Sequence, residues 1–265
     1  MPNLFRAAAG IEHMEQLAAS DSIIHRLHPL AKLMTTVTYI VLTVSFSSRN
    51  VSGLVPFLLF PVILMSLSGT PYRPLLKRLL VALPFCLMGG VGNLIFVREH
   101  AFSIGAFSVT VGMISFFSIV LKTFLTVLSV LLLIATTSFV QISDQLVSLH
   151  VPKILCLQLT MTYRYISVLL DEAARMFTAY QLRAPEQKGI RMKDMGSFIG
   201  QLVLRSFDRA ERVYRSMKCR GFDGKYRGKG AGRFRCSDGI YSAAVILSLF
   251  LFRFVNISLF LGRLV

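Results

Sequence analysis

Two arginines stand where long helices should stop: Arg183 in Leu182-Arg183-Ala184 and Arg220 in Cys219-Arg220-Gly221. A guanidinium is a planar fork that meets a carboxylate with two parallel hydrogen bonds. Beside a small residue it also lets a helix end approach a partner closely. Taken singly, each tripeptide reads as ordinary capping, or as a basic residue touching anionic lipid. Two such ends in one segment, each after a long amphipathic helix, point instead to docking of helix ends in a partner's grooves.

Other chemistry is thin. His25 and His28 have a spacing that could share a helix face, but Pro29 follows directly and no carboxylate or cysteine joins them. An interfacial loop is therefore expected there rather than a metal site. His13, His100 and His150 are isolated, and no serine–histidine–aspartate order stands out. Gly221-Phe222-Asp223-Gly224-Lys225-Tyr226 is the nearest imitation of a phosphate loop, with the wrong spacing and a terminal tyrosine. The expectation is no catalytic residue, no bound metal and no cofactor in this chain. Cys86, Cys156, Cys219 and Cys236 form no C-x-x-C pair, which argues against a disulfide framework or structural zinc.

The elements that position the two arginines follow from hydropathy. The chain is 54% hydrophobic and only 16% charged, where a soluble domain carries about 25% charged residues. Several apolar runs reach the roughly 20 residues that cross a bilayer. The pattern predicts an all-α polytopic membrane protein with about five spans, near 30–46, 51–67, 79–97, 111–135 and 240–261. Met1 to Leu30 has no apolar signal region, so the first run is expected to be a retained span. Pro56 and Pro61 should kink the second span, and Ser68 to Pro74 should break the chain before the third. Gly89-Gly90-Val91-Gly92 is read as a close-packing patch. Lys122, inside the fourth run, is read as a snorkelling lysine. Residues 102–107 join the fourth span or form a separate element.

The net charge of +16 is placed by topology. Lysine and arginine collect on cytoplasmic loops and near anionic headgroups, which explains the excess without nucleic acid. Arg73, Lys77, Arg78 and the long basic segment then lie inside, with the N-terminus inside and the C-terminus outside. This organisation divides the chain into an interfacial segment, 1–29; four spans, 30–135; a cytoplasmic segment, 136–239; and a last span with the C-terminus, 240–265. In the cytoplasmic segment one helix should run from Lys153 to the stop at Pro185, and a second from Met192 to Met217, closed by Gly221. Arg205, Arg209, Arg212 and Arg215 mark the second helix's polar side.

These residues resemble the transmembrane T component of energy-coupling factor transporters, in the form found in cobalt importers (CbiQ-type). Asp21 to Leu33 is similar to the family's H-x-L-D-P-x-x-K-L signature, with His28 where the family usually has aspartate. Ala135-Thr136-Thr137-Ser138 resembles the end of its fourth span. Thr162 to Ile166 with Glu172 to Met176 resembles its first coupling helix, and Leu204 to Glu211 with Met217 to Phe222 its second. Its Ala-Arg-Gly or Ala-Arg-Ser-like motifs match Leu182-Arg183-Ala184 and Cys219-Arg220-Gly221.

The resemblance implies two crossed cytoplasmic helices whose ends, at Arg183 and Arg220, sit in grooves of two ATP-binding-cassette ATPases. It implies ATP and magnesium on those partner chains and a substrate-binding membrane subunit, with or without a small accessory membrane subunit. The implied place is a bacterial or archaeal cell membrane, and the implied cargo is cobalt for cobalamin synthesis. Nickel and vitamin importers use related proteins. The competing class is a membrane-embedded lipid-modifying enzyme, which would carry its activity alone.

Overall fold

The computed structural model describes residues 15, 18, 20–47, 52–96, 100–104, 107–187, 189–224 and 234–254. The protein is α-helical, with one small antiparallel hairpin. The chain divides into two compact units, Met1–Gln16 with Phe139–Gly230, and Leu17–Ser138 with Ala231–Val265.

The apolar unit begins with α1, Pro29–Val44. Pro29 suits the first helical position because its missing N–H has no intrahelical partner to lose. His28 is the N-cap, and its Nδ1 accepts from the Leu30 amide at 3.2 Å. An aspartate commonly does this task at an N-cap, so the departure from the resembled signature keeps the cap.

The second apolar run is less regular than its pattern predicts. Two 3-10 turns, Ser52–Leu54 and Pro56–Leu58, precede α2, Leu59–Ser68. Pro56 lacks an amide to extend an α-helix behind it, which favours the tighter turns. Pro61 lies in the first turn of α2, where amides are unpaired in any helix.

The same reason corrects the expected break before the third span. Helix α3 covers Tyr72–Phe96, so Pro74 lies in its first turn and the true interruption is shorter. Gly69 closes α2 in a left-handed conformation, φ 63°. Pro84 lies inside α3. In the glycine patch Gly90 meets the Phe116 ring of the following helix; a Cβ there would stand 2.7 Å from a ring carbon. The expected close approach is made by Gly90 alone, since a Cβ at Gly89 or Gly92 would meet nothing within 4 Å.

Residues His100–Ile104 and Phe107–Thr110 pair as β1 and β2, so the segment around 102–107 is a separate element. Helix α4 spans Val111–Thr136, and the last apolar helix, α8, spans Cys236–Phe254. The expected final span thus starts before Ile240; its end at Leu261 lies outside the described residues. Pro74–Gly92, Val111–Thr136 and Cys236–Phe254 are long and apolar enough to cross a membrane, while Pro29–Val44 and Pro56–Ser68 are shorter apolar stretches.

Two side-chain clusters bind these helices. Tyr39, Phe46, Leu54, Phe57, Leu125 and Leu249 join α1, the 3-10 turns, α4 and α8. Leu75 and Leu79 of α3 pack on Leu128 and Leu132 of α4. The Tyr39 hydroxyl donates to the Phe57 carbonyl at 2.9 Å, an acceptor for which Pro61, four residues on, has no amide to offer. Lys122 does not end in open space. Its Nζ donates to the Phe46 carbonyl just beyond α1, and Arg253 stacks on the Phe46 ring at 4.1 Å. Cations at a helix C-terminus complement its dipole.

Candidate functional site

The unit of Met1–Gln16 with Phe139–Gly230 holds both arginine-bearing helix ends. Its first helix, α5, is Phe139–Ser148. Pro152, the N-cap of the following helix, already marks the boundary between the two in the sequence. The chain turns at His150, which has φ 64°, and then at Val151-Pro152. Phe139 stacks on Tyr163, ring centroids 4.6 Å apart, holding α5 against the long helix α6, Lys153–Arg183. Helix α7 covers Met192–Cys219.

Helix α6 stops as its sequence requires. Pro185 disfavours the helical region for Ala184, which takes φ −138° as the C-cap. The Ala184 amide donates to Tyr180 and Gln181 carbonyls. Arg183 is therefore the last helical residue. It is exposed, and its neighbour Leu182 is 79% exposed. An apolar side chain held this far into solvent at a helix end suits insertion into a partner.

Helix α7 closes differently. The Phe222 amide donates to the Met217 carbonyl at 3.0 Å, and the Gly221 amide donates to Lys218 at 3.0 Å. With Gly221 at φ 79°, this is a Schellman cap, and only glycine enters that region without a Cβ penalty. Arg220 is the C-cap residue, and Cys219 and Arg220 are both exposed. Capping thus explains Gly221 entirely and leaves the Arg220 side chain unused. Among the described residues neither Arg183 nor Arg220 makes a side-chain hydrogen bond or ion pair.

Polar contacts that sequence reasoning missed set the helix pair between these ends. Glu172 of α6 accepts from Arg205 of α7 at 2.6 Å and from Arg175 of its own helix at 2.7 Å. Near the connection, the Tyr180 hydroxyl donates to Asp194 at 2.7 Å and lies 2.9 Å from Gln187 Oε1. Arg191 donates to the same Asp194 oxygen at 2.9 Å. Between these contacts lies an open groove of about 640 Å³, lined in part by Met176, Ala179, Arg183 and Phe198. The sequence signals these contacts only by alternation of charge along each helix; nothing in the spacing pairs Glu172 with a residue 33 positions away.

Arg175 and then Arg205 hold the Glu172 carboxyl below its ordinary range, and Tyr180 and then Arg191 do so for Asp194. A carboxyl lowered by folding contributes stability above its unfolded value, about 4. That contribution is lost as the pH falls through the lowered folded value. These groups are solvent-accessible, so the effect is small. Spin labels at Ser167 and Asp208 should report one α6–α7 separation from about pH 8 to pH 5 and a wider one once the pH falls through the lowered carboxyl values. Glu172→Gln should widen it already at neutral pH. A separation unaffected by either change would remove the pair's role.

Helix α7 has no buried residue, and Ile199, Val203, Leu204, Phe207 and Tyr214 are exposed along it. The described part of the chain therefore leaves this apolar surface uncovered. Elsewhere, His25 bonds Ser22 Oγ through Nδ1 at 2.7 Å and lies 3.4 Å from the Ala135 carbonyl through Nε2. No group of three or more potential metal ligands occurs among the described residues.

The sequence is similar to known proteins over most of its length. The energy-coupling factor transporter transmembrane protein EcfT of Bacillus subtilis is 27% identical over 229 residues, covering 81% of this chain and 84% of that protein. EcfT of Streptococcus thermophilus is 28% identical over 259 residues, covering 88% and 94%. EcfT of Bacillus selenitireducens is 28% identical over 261 residues, covering 89% and 92%. Residues 20–230, most of the length, match the family model described as CbiQ, cobalt transport protein. From the N-terminal signature through both capped helices, the match spans the features built above, and the chain belongs to the CbiQ family of cobalt transport proteins.

Proposed function

We propose that this chain is the non-catalytic coupling subunit of an energy-coupling factor importer. Two ATPases, which bind the ATP and magnesium, take the ends of α6 and α7 in their grooves, with Leu182, Arg183 and Ala184 in one and Cys219, Arg220 and Gly221 in the other. ATP-driven approach of the ATPases moves these ends. The long helices carry the displacement to the membrane helices and so to a separate substrate-binding membrane subunit. The mechanism requires only that the partners favour one arrangement over the other. The coupling segment and N-terminus face the cytoplasm, and the cargo is cobalt.

The observation that carries this reading is the state of the two arginines. Both are exposed at helix ends whose backbones are already capped, and neither is used within the described chain. The EcfT relatives are named as transmembrane proteins of energy-coupling factor transporters, which supports the same role. The division of the chain into 1–29, 30–135, 136–239 and 240–265 is the working frame for it.

Purification of the tagged full chain from its native membrane, with mass spectrometry of what accompanies it, tests the proposal. Two ATP-binding-cassette ATPases and a further membrane subunit should be recovered, and the complex should import cobalt only with ATP. Nickel or a vitamin as cargo would change the substrate and leave the coupling role. A chain recovered alone that moves solute, or modifies lipid, without ATPases would end it.

A further inference from the structure

Among the described residues of the apolar unit, two charges are almost completely buried. Lys32 and Asp238 are each 4% exposed. Neither has a part in docking, and a buried charge persists only where its hydrogen bonds are supplied. Their partners are backbone groups, all but the His25 carbonyl at helix ends.

The Lys32 ammonium donates to the Thr136 carbonyl at 2.8 Å and to the His25 carbonyl at 3.3 Å. Thr136 is the last residue of α4. Its carbonyl is one of the four that a helix leaves unpaired, at the negative end of the dipole. Asp238 lies in the first turn of α8. Its carboxylate accepts from the Arg235 amide at 2.9 Å and from the His28 amide at 3.0 Å, at the positive end of that helix. The His28 ring also meets Phe234 edge-on, 5.4 Å between centroids. The segment 25–28 is thus tied by one cation to the end of α4 and by one anion to the start of α8.

Those two helix ends have a particular place in the chain. The coupling unit is entered after Ser138 and left before Ala231. Thr136 is therefore the last helical residue before the chain departs into it, and Phe234 to Asp238 is the stretch on which the chain returns. Every covalent path from the coupling helices into the membrane helices passes through one of the two.

Resting on the coupling role proposed above, we infer that Lys32 and Asp238 form a clamp that joins both connections to α1, so that displacement arriving by either connection moves the membrane helices as one body. They are positioning residues: they touch no substrate and no ATPase. Without the clamp the ends of α4 and α8 yield separately, and ATP hydrolysis proceeds without transport.

The test uses the whole complex, reconstituted in liposomes, with three readouts: yield of the assembled complex, ATP hydrolysis, and cobalt uptake per ATP. Lys32→Met removes the cation and keeps an apolar stem. Asp238→Asn keeps an acceptor oxygen for the cap and removes the charge. Each should assemble within about twofold of wild type and hydrolyse ATP, with uptake per ATP reduced at least tenfold. Uptake per ATP within about twofold of wild type in both would overturn the clamp. If Lys32→Met fails to assemble, Asp238→Asn alone decides by the same criterion. If neither assembles, the pair serves folding and the inference is overturned. Absence of ATPases from the wild-type complex would instead refute the coupling role, which separates the two failures.

Discussion

Arg183→Ala combined with Arg220→Ala abolishes ATP-dependent import while the chain still inserts in the membrane at normal levels. Each guanidinium is expected to meet carboxylate or carbonyl oxygens in a groove closed to water. Removing one partner from such a contact costs roughly 3–5 kcal/mol, mostly from stranding the group left behind. A loss of that size lowers association by roughly two to four orders of magnitude, at about 1.4 kcal/mol per tenfold. Folding is spared because both helix ends are capped by their own backbones. Co-purification with the ATPases and an uptake assay read the result. Arginine-to-lysine exchange should also fail, since a single ammonium cannot reproduce the fork. A basic surface bound only to anionic lipid would tolerate that exchange and weaken steadily with salt. Unchanged complex yield and uptake in the double variant would defeat the docking reading.

Phe57→Ala should be the most damaging single truncation in the apolar unit. Phe57 is fully buried, with its ring edge-on to Phe46 at 5.1 Å and tilted against Tyr39 at 5.7 Å. It sits in the 3-10 turn between two prolines, where the backbone adjusts little to fill a void. Phenylalanine-to-alanine changes in protein cores cost about 3–5 kcal/mol. Lipid-embedded packing lacks part of the transfer term, so the lower end of that range is expected. Tyr39→Phe should cost less, because it loses only the hydroxyl bond to the Phe57 carbonyl. Thermal unfolding in detergent, followed by circular dichroism, ranks the two; equal midpoints for wild type and Phe57→Ala would show that the cluster is not the keystone of the helix packing.

Long elements are legible in the sequence because periodicity and hydropathy repeat over many residues. Helix α6, with a proline behind each end, and helix α7, with Gly221 after it, match their expected limits closely. The errors fall where one residue's backbone outweighs the pattern. Pro61 and Pro74 read as kink and break, yet both lie in first turns, where a proline loses no hydrogen bond. His150, at φ 64°, turns the chain between α5 and α6, a backbone choice that its residue type does not announce. Lys122 shows itself as an odd charge in an apolar run, but its acceptor, the Phe46 carbonyl, is 76 residues away and invisible to local spacing. The two helix-end arginines are visible from their surroundings. Glu172, Asp194, Lys32 and Asp238 are not, since their partners are set by tertiary packing.

The Schellman turn at Gly221 has a consequence for how this tip can diversify. Main-chain bonds alone close it, so the residue types at 219 and 220 answer to no folding demand. Those two positions can be rewritten to suit a different ATPase while the helix beneath them is left intact, and the glycine behind them is the only letter of the tripeptide that architecture dictates.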